Sequence, residues 1–303
     1  MLATLIEKPF DKKGWLFEIK WDGYRALANK STQISLLSRN QKSFNQRFPS
    51  IVNALKKIPG SFVLDGEIVA VDKNGKSSFQ LLQNYHISKQ VLYYYVFDIL
   101  FLNGQDLKSI PLIERKKILK KLLKGRSTTQ LKFGDYIEEK GVAFFREAKK
   151  KGLEGIIAKN GDSTYQSRRS KEWLKIKTGL RQEVVIGGFT QPKGSRKCFG
   201  ALLVGIYKNG LLIYAGRVGG GFDEKLLSSV YSQLQKITTS KCPFSQQLHP
   251  NAVVTWVKPK LVCEVSFAEW TQDGIMRQPI FKGIRIDKSA KDVVKEKPHK
   301  VRN

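Results

Sequence analysis

The stretch Leu16–Ala28, LFEIKWDGYRALA, puts a carboxylate, an amine and a carboxylate at alternate positions: Glu18, Lys20 and Asp22. Ile19 and Trp21 fill the gaps. In a β-strand alternate side chains share a face. The three charges would lie on one face, with Ile19 and Trp21 turned to a core. A face of that kind is costly when buried and ordinary when solvated. By itself the stretch fits an edge strand with a wet face, and the rest of the chain has to decide.

Outward from it, β-branched and aromatic runs predict further strands at ISLLSR, SFVLDGEIVAVD, VLYYYVFDIL, EGIIAK and EWLKIK. FPSIVNALKKI, LIERKKILKKLL and GVAFFREAKKKG repeat apolar residues at three- and four-residue steps, which predicts helices. The last of these stops at Gly152, a C-cap candidate. Past Gly179 the pattern changes to short strands (EVVIGGFT, GALLVGIYKNGLLIYAGRVG, AVVTWV, LVCEVSFAEW) split by Gly, Asn or Pro turns. Asn209-Gly210 between apolar runs signals a hairpin. One helix, DEKLLSSVYSQLQKI, interrupts about five strands, a pattern suited to a small barrel of the OB type. We therefore expect an α+β domain over 1–180 and an OB-type β-barrel over 181–303, with the basic tail KSAKDVVKEKPHKVRN fraying from it.

The 303 residues carry 54 Lys+Arg against 26 Asp+Glu, a formal net charge of +28. Up to Leu180 there are 34 basic and 17 acidic residues, and after it 20 and 9. The excess belongs to both halves, so a polyanionic partner is expected, nucleic acid before an anionic membrane. No apolar run reaches 18 residues, and acid and proline enter the first ten residues, so neither a membrane-spanning helix nor a signal peptide is expected. Cys198, Cys242 and Cys263 show no CxxC spacing, which disfavours a disulfide framework or zinc module and suits a reducing cytoplasm. With only His86, His249 and His299, a histidine metal site or triad is not expected.

Six stretches then line up in order: Lys20-Trp-Asp-Gly, Ser-Arg39-Asn, Asp65-Gly-Glu67, Phe97-Asp98, Glu154-Gly-Ile-Ile-Ala-Lys159 and Lys175-Ile-Lys177. Each alone fits a solvated strand face or a turn. As an ordered set they resemble the covalent nucleotidyltransferases, the ATP-dependent DNA ligases and mRNA capping enzymes, whose final motif is matched by RIDK, Arg285–Lys288. The flanks MLATL, WLFEIKWDGYRA, GSRKCFGALLVGIY, GRVGGGF and EWTQDGIMRQPIFKGIRIDK are similar to the ligase domain of bacterial non-homologous end-joining ligases of the ligase D type.

That resemblance implies a chemistry. Lys20 would attack the α-phosphate of ATP and hold AMP as a phosphoramidate. A lysine is inert while protonated, and nearby cations with partial desolvation make its amine available. Lys175, Lys177 and a metal ion would supply positive charge and neutralise the phosphoryl group. Glu67 and Glu154 would hold Mg²⁺, with Mn²⁺ an alternative, and Glu67 equally suits the ribose. Phe97 would stack on adenine and Glu18 would accept from its amino group. Arg25 and Arg39 would contact ribose or phosphate, Lys159 belongs to the same nucleotide set, and Asp22 would orient its neighbours or a metal-bound water. Trp21 and Trp173 read as core. Arg285 and Lys288, oriented by Asp287, would grip the leaving pyrophosphate from the second domain.

Two basic loops are DNA-phosphate candidates: Arg168, Arg169 and Lys171 in YQSRRSKEW, and Lys193, Arg196 and Lys197 in QPKGSRKCFG. The implied enzyme is a monomeric bacterial ligase of the cytoplasm and nucleoid that seals nicked double-stranded DNA. A Ku-like end-binding protein and separate polymerase or nuclease modules are its expected partners. An RNA ligase, a capping guanylyltransferase or an inactive basic OB protein are the rival readings.

Overall fold

The computed structural model describes the chain except residues 84, 86–89, 126–129, 193, 195, 249–251 and 300–303. Two compact units emerge. One holds Met1–Thr178 and the C-terminal segment from Lys297, the other Gly179–Glu296.

The strands of the first unit are β1 (Leu2–Leu5), β2 (Trp15–Ile19), β3 (Tyr24–Lys30), β4 (Ile34–Ser38), β5 (Phe62–Ala70), β6 (Leu92–Leu102), β7 (Gln105–Asp106), β8 (Leu131–Phe133), β9 (Tyr136–Glu138), β10 (Gly155–Asn160) and β11 (Arg169–Lys177). Its helices are α1 (Pro49–Lys56), α2 (Phe79–Gln83), α3 (Leu112–Leu123) and α4 (Gly141–Lys150). One sheet runs β1-β11-β10-β2-β9; the other runs β4-β3-β5-β6-β7, with β8 parallel to β6. In the first sheet the odd positions Trp15 and Phe17 join Ile156, Ala158, Leu174 and Ile176 in a core covered by Phe144, Phe145 and Ala148 of α4. The even positions Leu16 and Glu18 look the other way, which leaves Glu18 opposite Ile157 and Ile157 opposite Lys175. In the second sheet Tyr24 packs against Phe44 and Phe79 under α1 and α2, with ring centroids 5.4 and 4.8 Å apart.

The second unit comprises β12 (Leu180–Thr190), β13 (Leu202–Lys208), β14 (Leu211–Val218), α5 (Glu224–Gln235), β15 (Thr238–Thr239), β16 (Val254–Val257), β17 (Val262–Phe267), β18 (Glu269–Trp270), β19 (Met276–Arg277) and β20 (Ile280–Ile284). Seven of these strands form one antiparallel OB-type sheet around the long β12, which pairs with β13, β16 and β17. Asn209 and Gly210, both at positive φ, close the β13–β14 hairpin as the Asn-Gly signal requires. Asp223 caps α5 by accepting from the Leu226 N–H at 2.8 Å.

Three expectations change. Arg169 and Lys171 stand on strand β11 and not in a loop, because β1 supplies parallel backbone partners from Leu2↔Arg169 onward. The Lys20-Trp-Asp-Gly stretch does not continue its strand: β2 ends at Ile19 and β3 starts at Tyr24, so Glu18, Lys20 and Asp22 do not share a face. The tail is pinned as far as Glu296. Val293 is 1% exposed in the barrel core, its carbonyl accepts from Tyr207 N–H at 2.7 Å, and Gln182 brackets Val294 and Glu296.

Candidate active site

Between them, the two sheets of the first unit form an open cleft lined by Glu18, Lys20, Arg25, Glu67, Phe97 and Lys159 together with Ala3, Ile19, Trp21, Ile157 and Trp173. Lys20 sits just beyond β2, where its N–H donates to Gly155 O at 3.0 Å. The chain then reverses sharply at Gly23. A Cβ there would come 2.2 Å from Ile68 O and 2.8 Å from Val69 Cγ1, so glycine is required by the space and not by its φ. Asp22 is buried beside the turn with its N–H on Ser77 Oγ, and it lies outside the cleft lining.

Charges in the cleft come in pairs. Lys20 Nζ meets the buried Glu154 carboxylate in a close ion pair. Glu18 is gripped by two buried amines, Lys116 Nζ at 2.6 Å and Lys159 Nζ at 2.8 Å. Arg25 forms a forked pair with Asp65 at 2.9 and 2.6 Å, and Tyr165 Oη donates to the same carboxylate at 2.9 Å. Asp65 is held below the usual carboxylate range by Arg25 in spite of its burial. Burial pushes the Lys159 ammonium down to about 8 against the opposing pull of Glu18. Behind this wall Arg115 and Asp98, both 0% exposed, form a second fork at 2.8 and 2.9 Å.

The aromatic residues surround the same space. Phe97 meets Trp173 edge to face at 5.9 Å, and Lys159 Nζ lies 4.1 Å from each ring centre. Trp21 stacks on Tyr95 at 3.8 Å while lining the cleft, so the core assignment fails for it; the end of β2 at Ile19 frees it from strand alternation. Trp173 is 3% exposed yet also lines the cleft. Two cleft-lining residues hold buried polar atoms without a hydrogen-bond partner among the described residues: the acceptor Glu18 Oε1 and the donor Trp173 Nε1. Lys116 reaches Glu18 Oε1 as an ion pair without hydrogen-bond alignment. The unpartnered Trp173 Nε1 is a donor that a polar planar ligand can satisfy.

The remaining expected residues fall as follows. Lys175 stands across β11 from Ile157, and Lys177 across from Gly155, whose carbonyl holds Lys20. Arg39 is exposed on a neighbouring recess shared with Arg25, Gln41 and Tyr165, and not in the cleft. Arg168 and Lys171 are exposed, whereas the exposed Arg169 turns its guanidinium to Ala3 O. In the second unit Arg196 donates to Phe199 O at 2.9 Å and lies 5.9 Å from the Phe222 ring centre, so it is tied into the barrel; Lys197 is exposed and Lys193 lies outside the described residues. Arg285 is forked onto Asp287 at 2.9 and 2.8 Å and reaches Glu264 at 3.1 Å, while Lys288 pairs with Glu183 at 2.7 Å. Asp287 thus orients Arg285 and not Lys288. Lys116, Arg115 and Tyr165 escaped sequence reasoning, and Asp65 entered it as a motif member without a role. The first two look like solvated positions of a lysine-rich helix.

Among the described residues no group of three or more His, Cys, Asp or Glu could hold a metal ion. Glu67 lines the cleft and Glu154 pairs with the cleft-lining Lys20; hard carboxylates of this kind suit Mg²⁺ when phosphate and water supply the other oxygens. No helix of the described residues is long and apolar enough to cross a membrane.

The comparisons with known proteins agree with this architecture. The family model "ATP dependent DNA ligase domain" matches residues 1–177, and "ATP dependent DNA ligase C terminal region" matches 195–288. The multifunctional non-homologous end joining protein LigD of Pseudomonas aeruginosa is 39% identical over 98% of this chain and 36% of its own length. LigD of Mycolicibacterium smegmatis is 40% identical over 95% of the chain and 38% of its length. The chain therefore spans somewhat over a third of these relatives. A solved mycobacterial DNA ligase D complexed with ATP and MES is 35% identical, with TM-score 0.71 over 97% of this chain and 98% of that one. With more than half its length matched by the catalytic-domain model, and with the nucleotidyltransferase and OB-fold units in series, the chain belongs to the ATP-dependent DNA ligases.

Proposed function

We propose that this chain seals 5′-phosphate/3′-hydroxyl nicks in double-stranded DNA through a lysyl-AMP intermediate formed on Lys20. The observation that carries the reading is the placement of Lys20 at a cleft lined by charged and aromatic side chains, ion-paired to Glu154 and bordered by Glu18 and the unpartnered Trp173 Nε1. ATP enters with its base toward Glu18, Phe97 and Trp173. Arg25 and Glu67 face the ribose side, and Lys175 and Lys177 neutralise the phosphates. The ammonium of Lys20 cannot attack while protonated, so its pair with Glu154 opens and the proton leaves before Nζ bonds to the α-phosphorus and pyrophosphate departs. Arg285 and Lys288 serve that departure, with Asp287 holding Arg285. Mg²⁺ or Mn²⁺, held by Glu154 and Glu67, would contribute electrostatic stabilisation of the phosphoryl group. AMP then passes to the 5′-phosphate of the nick, and the 3′-hydroxyl displaces it.

The relatives' names support DNA end joining as the setting. There a Ku-like end-binding protein and polymerase and nuclease modules would be partners, and the enzyme would act as a cytoplasmic monomer on the nucleoid. Exposed Arg168, Lys171 and Lys197 are proposed phosphate contacts within the +28 field. The test is incubation with α-labelled ATP, then with a nicked duplex. The wild type should yield a protein–AMP adduct and a sealed strand, and labelled GTP should yield no adduct. Lys20→Arg, whose guanidinium stays protonated, should yield none with ATP. An adduct in that variant would show that another lysine is the nucleophile. A GTP adduct would favour the capping reading.

A further inference from the structure

We propose that Lys116 is a positioning residue for base recognition: with Lys159 it fixes Glu18 as a hydrogen-bond acceptor, and so sets the preference for ATP without touching the nucleotide. The proposal rests on the adenylation reading above and adds a residue from outside the motifs.

Lys116 lies in α3 and is 1% exposed. Its Nζ is 2.6 Å from Glu18 Oε1, donates to Gly134 O at 2.9 Å, and has the Phe133 and Tyr136 ring centres each 5.2 Å away. Lys159 holds the other oxygen of the same carboxylate at 2.8 Å. Burying an ammonium costs several kcal/mol before any attraction is counted, and an apolar residue would pack here at less cost. Neutralising one carboxylate needs one cation, and this site buries two. The second is explained if the orientation and acceptor character of Glu18 matter.

An ionised carboxylate only accepts, and has about four lone-pair positions. The two lysines take one position on each oxygen, which leaves room on the carboxylate for a further donor. The exocyclic amino group of adenine supplies one. Hypoxanthine presents a carbonyl oxygen at the same place, acceptor against acceptor, and that mismatch in a buried site is strongly penalised. The rejection holds only while Glu18 does not turn. Without Lys116 the carboxylate loses one of its two anchors and can rotate out of line with the base.

The experiment measures single-turnover adduct formation with ATP and with inosine triphosphate on the whole chain, for the wild type, Lys116→Met, Lys116→Gln and Glu18→Gln, with melting curves to score folding. In folded Lys116→Met we expect the half-saturating ATP concentration to rise and the ATP-over-ITP preference to fall, each about tenfold or more, while the saturating rate stays within about threefold. Lys116→Gln, which can still donate to Gly134 O, should lie between it and the wild type. An unchanged preference, or a lower saturating rate with the preference intact, overturns the proposal and leaves Lys116 structural. Should neither lysine variant fold, Glu18→Gln decides, because its amide can donate to a carbonyl; an unchanged preference there also overturns it. A wild type that forms no adduct with either nucleotide overturns the adenylation reading instead.

Discussion

Arg115→Met removes the cation from a fully enclosed fork and offers the most direct test of how the cleft wall is built. Asp98 stands opposite Asp65 in the β5–β6 ladder, so two carboxylates face each other inside the sheet. Each has its own guanidinium, Arg25 for Asp65 and Arg115 for Asp98. Arg115 also donates to Ser163 O at 3.1 Å and to Ile110 O. Both members of the Arg115–Asp98 pair are 0% exposed. Removing one partner of such a pair costs about 3–5 kcal/mol, because the other charge is left buried. Removing both, as in Asp98→Leu with Arg115→Met, strands the same two carbonyls and the Ile99 N–H that donates to Asp98 at 2.9 Å, at about 1–3 kcal/mol each, but leaves no lone charge. The double variant should therefore be no less stable than Arg115→Met alone, a coupling of several kcal/mol.

Hydrogen exchange in peptides from β5 and β6 reads the first unit by itself. At about 1.4 kcal/mol per tenfold, the single variant should accelerate exchange there by roughly a hundred- to a few thousandfold. Phe97 adjoins Asp98, so weaker ATP binding should accompany the loss. Additive costs in the double variant would refute the reasoning, as would a single-variant cost below about 1 kcal/mol.

Two further outcomes follow from the same geometry. Lys288→Ala should lower adduct formation from ATP by orders of magnitude and largely spare sealing of a pre-adenylated nick, since no pyrophosphate remains at that stage; its partner Glu183 is partly exposed, so stability should change by less than about 1 kcal/mol, and equal loss of both activities counts against the role. Lys159 has a folded pKa of about 8, below its unfolded value, so the unfolded chain binds the extra proton between about pH 8 and 10.5 and native stability rises with pH across that window. Urea unfolding at several pH values should show the wild type gaining on the order of 3 kcal/mol over Lys159→Met in that window, and parallel curves would exclude a buried, pKa-depressed Lys159.

The motif strands were legible because residue type and period agreed along each of them. Helix α3 was legible in its bounds, Leu112–Leu123, but not in its faces. Its period of Leu and Ile predicts a core side, and Arg115 and Lys116 read as the wet side. They are buried because Asp98 and Glu18, distant in sequence, arrive to pair with them. Burial of a charge is decided by the partner, and no local pattern carries the partner. The same limit explains Arg169 and Lys171, whose strand exists only because Leu2–Leu5 lies beside it. Trp21 shows the converse: an alternation that looked continuous ended one residue before the proposed nucleophile, and the side chains beyond it answer to the turn at Gly23.

A cleft built from paired charges has a consequence for the order of events. Lys20 is held by Glu154, Arg25 by Asp65 and Glu18 by two lysines, so few charges wait unpaired for a nucleotide. A polyphosphate entering this space must compete with carboxylates already seated on its cations. That competition is unequal across the site. The Arg25–Asp65 fork has two hydrogen bonds onto a fully enclosed carboxylate and adds a third from Tyr165, so it stays closed and acts as a wall. Lys20 meets Glu154 as a compact ammonium without a fork, so its pair is the one that phosphate or a divalent cation on Glu154 can open. The proposed recognition groups are therefore held by forked or doubled pairs and the proposed nucleophile by an unforked ion pair, which would confine release of the amine to the moment when charge has arrived to replace it.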